Sequence, residues 1–170
     1  MRVNRSALST IALFITAFIW GIAFVAQVAG MEFLGAFTFG GIRFGLGALS
    51  LIPVILILER KCERETLLRT LRYGSIAGVI LFIAASLQQQ GIMITQSAGR
   101  AGFITGLYTV IVPILGTFLG KKPSVGTWIG AVSAVIGLYL LSVTDGLSSI
   151  GAGDVLLIIC AFFWAFHIMF

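Results

Sequence analysis

Apolar runs about as long as a lipid bilayer is thick, nearly free of charge, recur along this chain and dictate its solvent. A helix needs about 20 such residues to cross the ~30 Å hydrocarbon layer. Runs of that length read as Ala7–Ala29, Phe33–Leu58, Tyr73–Ile94, Ala101–Gly120 and Val125–Thr144, and a sixth opens at Val155 and is still apolar at Phe170. Composition agrees: 59% of residues are hydrophobic, 10% are charged and mean hydropathy is +1.11. Soluble domains carry roughly a quarter charged residues, so too few polar groups exist here to clothe a water-facing surface. The expected fold is an all-α, multi-pass transmembrane helix bundle of five helices plus part of a sixth.

The first run is read as a span and not as a cleaved leader. Arg2 and Arg5 precede it and Val28-Ala29-Gly30 contains small residues, but leader cores run to about 7–15 residues. Here no charge occurs from Ser6 to Met31, and further spans follow. Orientation follows from where Lys and Arg fall between spans. Arg2 and Arg5, then Arg60, Lys61, Arg64, Arg69 and Arg72, then Lys121 and Lys122 all lie on one side. The other side holds Glu32, Asp145, Asp154 and one base, Arg100. The expectation is a multi-pass protein of the cell inner membrane with a cytoplasmic N-terminus. The formal charge of +5 makes no basic patch, so nucleic acid is not an expected partner. Cys62 falls in a charged loop and Cys160 in a span, which makes a disulfide between them implausible. Neither cysteine has metal-ligand spacing to another Cys or His, and no metal or other cofactor is expected.

An internal repeat is visible. Ala17, Phe18 and Trp20 of the first span match Ala161, Phe162 and Trp164 of the sixth at a constant offset of 144 residues. A repeat of five spans is odd-numbered, so its second copy would lie upside down in the membrane. Inverted repeats are the architecture of many secondary transporters, with substrate bound near midplane between the repeats. The expected division is residues 1–147 as a first five-helix repeat and 148–170 as the start of a truncated second one. The partners this implies are lipid, a small-molecule substrate, and either a missing C-terminal repeat or a second copy of the chain.

These residues also carry a family resemblance. The Phe18-Ile19-Trp20-Gly21 signature resembles the EamA family of the drug/metabolite transporter superfamily. So do Arg43-Phe44, the stretch Thr95–Pro113 with Ser97-Ala98, Ala101-Gly102-Phe103 and Val112-Pro113, and Gly130 with Gly137-Leu138-Tyr139-Leu140-Leu141. The resemblance covers the whole chain. It implies ten helices in two inverted repeats and movement of small metabolites such as amino acids or drugs. One departure is Gly120-Lys121-Lys122-Pro123, where many relatives have Gly-Glu followed by a base.

Polar residues within the spans are the candidate substrate-binding positions. Arg43 lies close to midplane with no Asp or Glu in any span to neutralise it. It is either a structural cation tied to carbonyls or a cation offered to an anionic substrate group, since an intramembrane Arg normally faces a partner or a watery cavity. Gln88, Gln89 and Gln90 sit near one end of span three, and Thr105, Tyr108 and Thr109 at a similar depth in span four. Successive residues turn by about 100°, so at least one glutamine points into the bundle, and a polar lining between the two helices is expected. Interhelical hydrogen bonding is the plain alternative. Trp20 and Trp164 lie away from the interfaces where Trp usually anchors and read as packing where the repeats meet or as cavity walls. His167, the only histidine, is a candidate proton relay or a hydrogen-bonded structural residue. Pro113 is expected to kink span four. Glycine pairs at Gly41/Gly45, Gly74/Gly78, Gly102/Gly106, Gly116/Gly120 and Gly126/Gly130 are expected to let helices approach closely.

No catalytic constellation appears. One histidine excludes HExxH, there is no GxSxG and no CxxC, and Gly116–Lys122 has the wrong spacing for a phosphate-binding loop. An enzyme is not expected. Beside a transporter, the open readings are a half-size transporter working as a homodimer and a membrane scaffold with no substrate cycle.

Overall fold

The computed structural model describes residues 5–58, 64–143 and 150–170. Arg2, Arg60, Lys61, Cys62, Thr144 and Asp145, together with the expected repeat boundary at 147/148, lie outside the described residues. Among the described residues seven helices follow in order: α1 (Arg5–Met31), α2 (Ala36–Leu58), α3 (Arg64–Thr95), α4 (Ala98–Gly106), α5 (Tyr108–Phe118), α6 (Val125–Val143) and α7 (Ala152–Met169). No strand occurs among the described residues. Five helical stretches are long and apolar enough to cross a membrane, with α4 and α5 forming one of them, and α6 adds a shorter apolar helix. Large apolar side chains point outward along these helices, among them Phe14 and Phe18, each 71% exposed, and Leu58. Such a surface is tolerable only in lipid.

Local chemistry sets the ends. Ser97 stops α3 from running into α4, because its hydroxyl accepts from the Arg100 backbone N–H at 3.2 Å and so caps α4. The chain reverses there through Gln96, whose φ of 49° is left-handed. Gly120, at φ 76°, makes the corresponding turn between α5 and α6 and meets no Cβ penalty. Helix α7 starts three residues before the expected Val155, since the Asp154 carboxylate accepts from the Gly151 N–H at 2.8 Å and closes its first turn.

Span four is broken at Leu107 and not at Pro113. The Leu107 N–H bonds to the carbonyls of Ile104 and Thr105, a tightened last turn for α4. Gly106 precedes the break and lowers the cost of ending a helix there. Pro113 sits buried within α5, which runs on through it.

The core is built on α7. It lies antiparallel to α3, with His167 beside Ala77 at one end and Leu157 against Gly91 toward the other. A Cβ added at Gly91 would fall 2.6 Å from Leu157 Cγ, and one at Gly153 would fall 2.8 Å from Thr95 Cγ2. Close helix approach therefore occurs at Gly91 and Gly153, on facing helices, and not through the glycine pairs. Added Cβ atoms at Gly41, Gly45, Gly74, Gly78 and Gly130 meet nothing within 4 Å, although Gly102 does abut Phe24. A small-residue pair makes only a groove. It brings helices together where a neighbour has a ridge to lay in it, as Leu157 does over Gly91. Buried Met31, Ala36, Ile92, Ala101, Ile104 and Leu157 complete the apolar core, which joins α1, α2, α3, α4 and α7.

Candidate functional site

One ladder of polar and aromatic groups follows the buried edge of α7. At its first end, Asp154 is 3% exposed and takes a two-pronged ion pair from Arg100, with Nε at 2.6 Å and Nη2 at 2.7 Å. With the Gly151 N–H, three donors converge on one carboxylate. Asp154 also sits in the first turn of α7, where negative charge suits the helix dipole.

Deeper along α7 the Cys160 thiol, fully buried, lies against Thr105 and Trp164. Thr105 Oγ1 in turn accepts from Gln88 Nε2 at 3.3 Å, and both residues are buried. Trp164 meets Trp20 edge to face with ring centroids 5.7 Å apart. His167 stacks edge-on to Trp164 at 6.0 Å and its Nδ1 lies 3.2 Å from the Ala77 carbonyl oxygen. Only an Nδ1–H can bond to a carbonyl, so that contact requires the proton on Nδ1. Residues 154 to 167 span about 20 Å at 1.5 Å per residue, so the ladder runs through most of a bilayer's thickness.

Gln89 Oε1 and Gln27 Oε1 are buried with no hydrogen-bond partner among the described residues, and buried Trp164 Nε1 has nothing beside it but the weakly accepting Cys160 thiol. Gln89 donates from Nε2 to Met31 Sδ at 2.8 Å, and Gln27 donates to its own helix at Ala23. Gln89 lines a cavity of about 430 Å³ between α2 and α3, walled by Phe37, Phe44, Phe82 and the glycines Gly40, Gly41 and Gly78. Arg43 stands behind that wall. Its Cζ lies 4.9 Å from the centroid of Phe44 and 5.9 Å from that of Phe39. The aromatic faces thus supply negative potential beside the Arg43 guanidinium.

The expected polar lining between spans three and four is only partly assembled. Thr105 joins Gln88, but Tyr108 and Thr109 face a second cavity of about 500 Å³ with Pro113, Lys121, Lys122 and Thr127, near the end of α7. The break at Leu107 changes the helical register between Thr105 and Tyr108, and that separates residues a continuous helix would have kept in neighbouring turns. The candidate binding residues therefore fall in three places. Gln88, Thr105, Trp20, Trp164 and His167 follow the α7 ladder, Arg43 and Gln89 flank the α2–α3 cavity, and Tyr108 lies at the α5–α6–α7 cavity.

Sequence reasoning missed three members. Arg100 and Asp154 were visible as the single base and one of the few acids on the same side of the membrane, a juxtaposition that in lipid-facing sequence points to a pair. Gln27 stood one turn from Met31 at the end of span one, with no neighbouring polar group to draw attention to it.

Residues 7–143 match the model of the EamA-like transporter family. The chain belongs to that family. Two proteins of Archaeoglobus fulgidus, both described as uncharacterized transporters, are similar to it. One is 29% identical over 162 residues, covering 93% of this chain and 47% of the relative. The other is 26% identical over 133 residues, covering 78% and 46%. The EamA chain thus spans about half the length of the curated relatives it matches, and no solved structure matches it. Family and helices together make this a multi-pass membrane protein of the transporter class, within the drug/metabolite transporter superfamily.

Proposed function

We propose that this EamA protein is a secondary transporter, a permease that carries small metabolites such as amino acids or compounds of similar size and polarity across the cell inner membrane. In this reading the α7 ladder is one wall of the translocation path, and residues 148–170 begin a second, inverted repeat. The observation that carries it is the set of buried polar atoms without a strong protein partner. A buried donor or acceptor left unpaired costs about 1–3 kcal/mol, and such atoms call for an explanation. Trp164 Nε1 is a donor, and Gln89 Oε1 and Gln27 Oε1 are acceptors. In this reading a substrate that accepts hydrogen bonds meets Trp164 as it passes the α7 ladder, and one that donates them meets Gln89 at the α2–α3 cavity. Orientation with the N-terminus in the cytoplasm is supported by the nine basic residues on one side against Arg100 on the other.

The test is uptake by proteoliposomes of the protein carried through its native reading frame, offered a panel of labelled amino acids and related metabolites. Trp164→Phe keeps an aromatic ring toward Trp20 but removes the pyrrole half of the indole along with its N–H. Per folded molecule the variant is expected to raise KM about tenfold, the equivalent of one lost hydrogen bond. Unchanged KM with a full complement of folded protein would remove Trp164 from the substrate path.

A further inference from the structure

The cavity of about 500 Å³ beside the end of α7 joins two chemistries. Its mouth holds Lys121, Lys122 and Thr127, and the wall behind them is apolar, made by Val112, Pro113 and Ile168. The two lysines follow the left-handed turn at Gly120 that ends α5, and α6 opens close by at Val125. A helix N-terminus is the positive end of its dipole, so α6 adds to the two ammonium charges. Lys121 doubles back on α5. Its amide bonds to the Gly116 carbonyl at 2.9 Å, and a Cβ added at Gly116 would lie 3.8 Å from Lys121 Cβ and 3.9 Å from its Cδ. The bare backbone of Gly116 thus seats the lysine stem beside the cavity.

No carboxylate answers this charge among the described residues. Their acids are Glu32, Glu65 and Asp154. Glu65 pairs with Arg69, Asp154 pairs with Arg100, and Glu32 follows α1 on the same side as Asp154. Position then selects the ligand. The span formed by α4 and α5 ends at Phe118, which sets Lys121 and Lys122 at the membrane–water boundary. Both lysines and Ile168 are exposed at the surface of the bundle, where lipid arrives from the side. Two cations over an apolar wall complement a molecule with an anionic head and a hydrocarbon tail, and basic pockets between transmembrane helices bind charged lipid headgroups. Lysines that serve only to orient a chain need neither wall nor cavity.

The geometry points to an anionic phospholipid as a site-bound ligand, its phosphate paired with Lys121 and Lys122 at the start of α6 and an acyl chain laid along Val112, Pro113 and Ile168. Ile168 adjoins His167 in the last turn of α7. The bound chain therefore braces the end of α7 opposite the Arg100–Asp154 pair. This site needs only the membrane placement of the helices and is independent of what the protein transports.

The test uses the protein carried through its native reading frame, in neutral detergent, with phosphatidylglycerol or phosphatidylcholine of identical chains. Native mass spectrometry counts bound lipid. One phosphatidylglycerol per protein is expected to survive washes that remove phosphatidylcholine, with an affinity at least about tenfold higher. Lys121→Gln together with Lys122→Gln should weaken phosphatidylglycerol about thirtyfold and leave phosphatidylcholine unchanged. Arg64→Gln together with Arg72→Gln removes the same charge from exposed positions on the same side, outside the cavity, and should leave phosphatidylglycerol binding unchanged. Equal losses in the two double variants would assign binding to surface charge at large and overturn the proposal. Equal retention of both lipids by the wild type would also overturn it, and that comparison holds even where the lysine variant does not fold. A competition arm identifies the source of the anion. Inorganic phosphate or glycerol phosphate, added at constant ionic strength, should not displace the lipid, and displacement by either would make this a site for a soluble anion.

Discussion

At the scale of single residues, the Arg100–Asp154 pair is the most consequential contact. Two short bonds from one guanidinium and a third from Gly151 leave Asp154 with three donors and almost no exposure. Arg100 keeps 26% of its side-chain surface, so part of its charge is hydrated. Breaking a buried pair by deleting one partner costs about 3–5 kcal/mol, because the other charge stays behind. Asp154→Ala is therefore expected to destabilise the protein by about 3 kcal/mol, read as a lowered midpoint of thermal unfolding in detergent. The double change Arg100→Met with Asp154→Leu should recover most of that loss, since no orphan charge remains. Equal losses in single and double variants would show that the residues contribute packing and not charge. Sequence alone placed both residues on one side of the membrane but could not pair them, because the contact bridges 54 positions. The burial of Gln88 was anticipated in kind, as a glutamine that must turn inward. Its partner Thr105 stood among the residues of span four, but nothing in spacing separated it from Tyr108.

At the scale of elements, what was legible was anything governed by length and apolarity. Each expected span is helical, the fourth as two helices, with α4 and α7 starting about three residues early where Ser97 and Asp154 cap and α3 starting at Arg64, ahead of the expected Tyr73. What was not legible was anything set by a neighbour. The break at Leu107 depends on the turn chemistry around Gly106, whereas α5 stays helical through Pro113. Glycine spacing alone did not say which pairs meet a neighbour within the chain, for the same reason. It identifies grooves, and only the structure says which groove is filled. The contrast is testable. Gly91→Ala forces a methyl group to within 2.6 Å of Leu157 Cγ and is expected to cost about 1–3 kcal/mol by overpacking. Gly41→Ala, with open space around it, should be neutral or slightly stabilising through helix propensity. Adding Leu157→Ala to Gly91→Ala should relieve the clash, so that the double variant is more stable than the sum of the two single losses. Strict additivity would mean that α3 and α7 are not in contact at Gly91.

At the scale of the whole molecule, the two ends of the α7 seam are closed by unequal means. One end carries the Arg100–Asp154 pair. The other has His167 at the Ala77 carbonyl and Phe170 against Tyr73, and opens toward the cavity shared by Tyr108, Lys121 and Lys122. The α1 position equivalent to Asp154 is Thr10, so the repeat offset gives α1 no matching acid. A transporter exposes its path to one side at a time, and the stronger closure should define the resting state. Cys160 is a native reporter of that closure. It is fully buried six residues below Asp154, about 9 Å down the helix. Asp154→Asn keeps the shape and one acceptor but removes the charge that holds Arg100. With Cys62 replaced by serine, Cys160 of Asp154→Asn is expected to react with a small charged methanethiosulfonate at least about tenfold faster than Cys160 with Asp154 intact, a rise matching roughly 1.4 kcal/mol of weakened closure. The rise should occur only when reagent is added from the Arg100 side of sealed vesicles. That restriction separates opening at one end from general unfolding, which would expose the thiol to both sides. A Cys160 that stays inert in Asp154→Asn would make the pair a static strut, and the closure of that end would then rest on the apolar contact of Leu157 with Gly91.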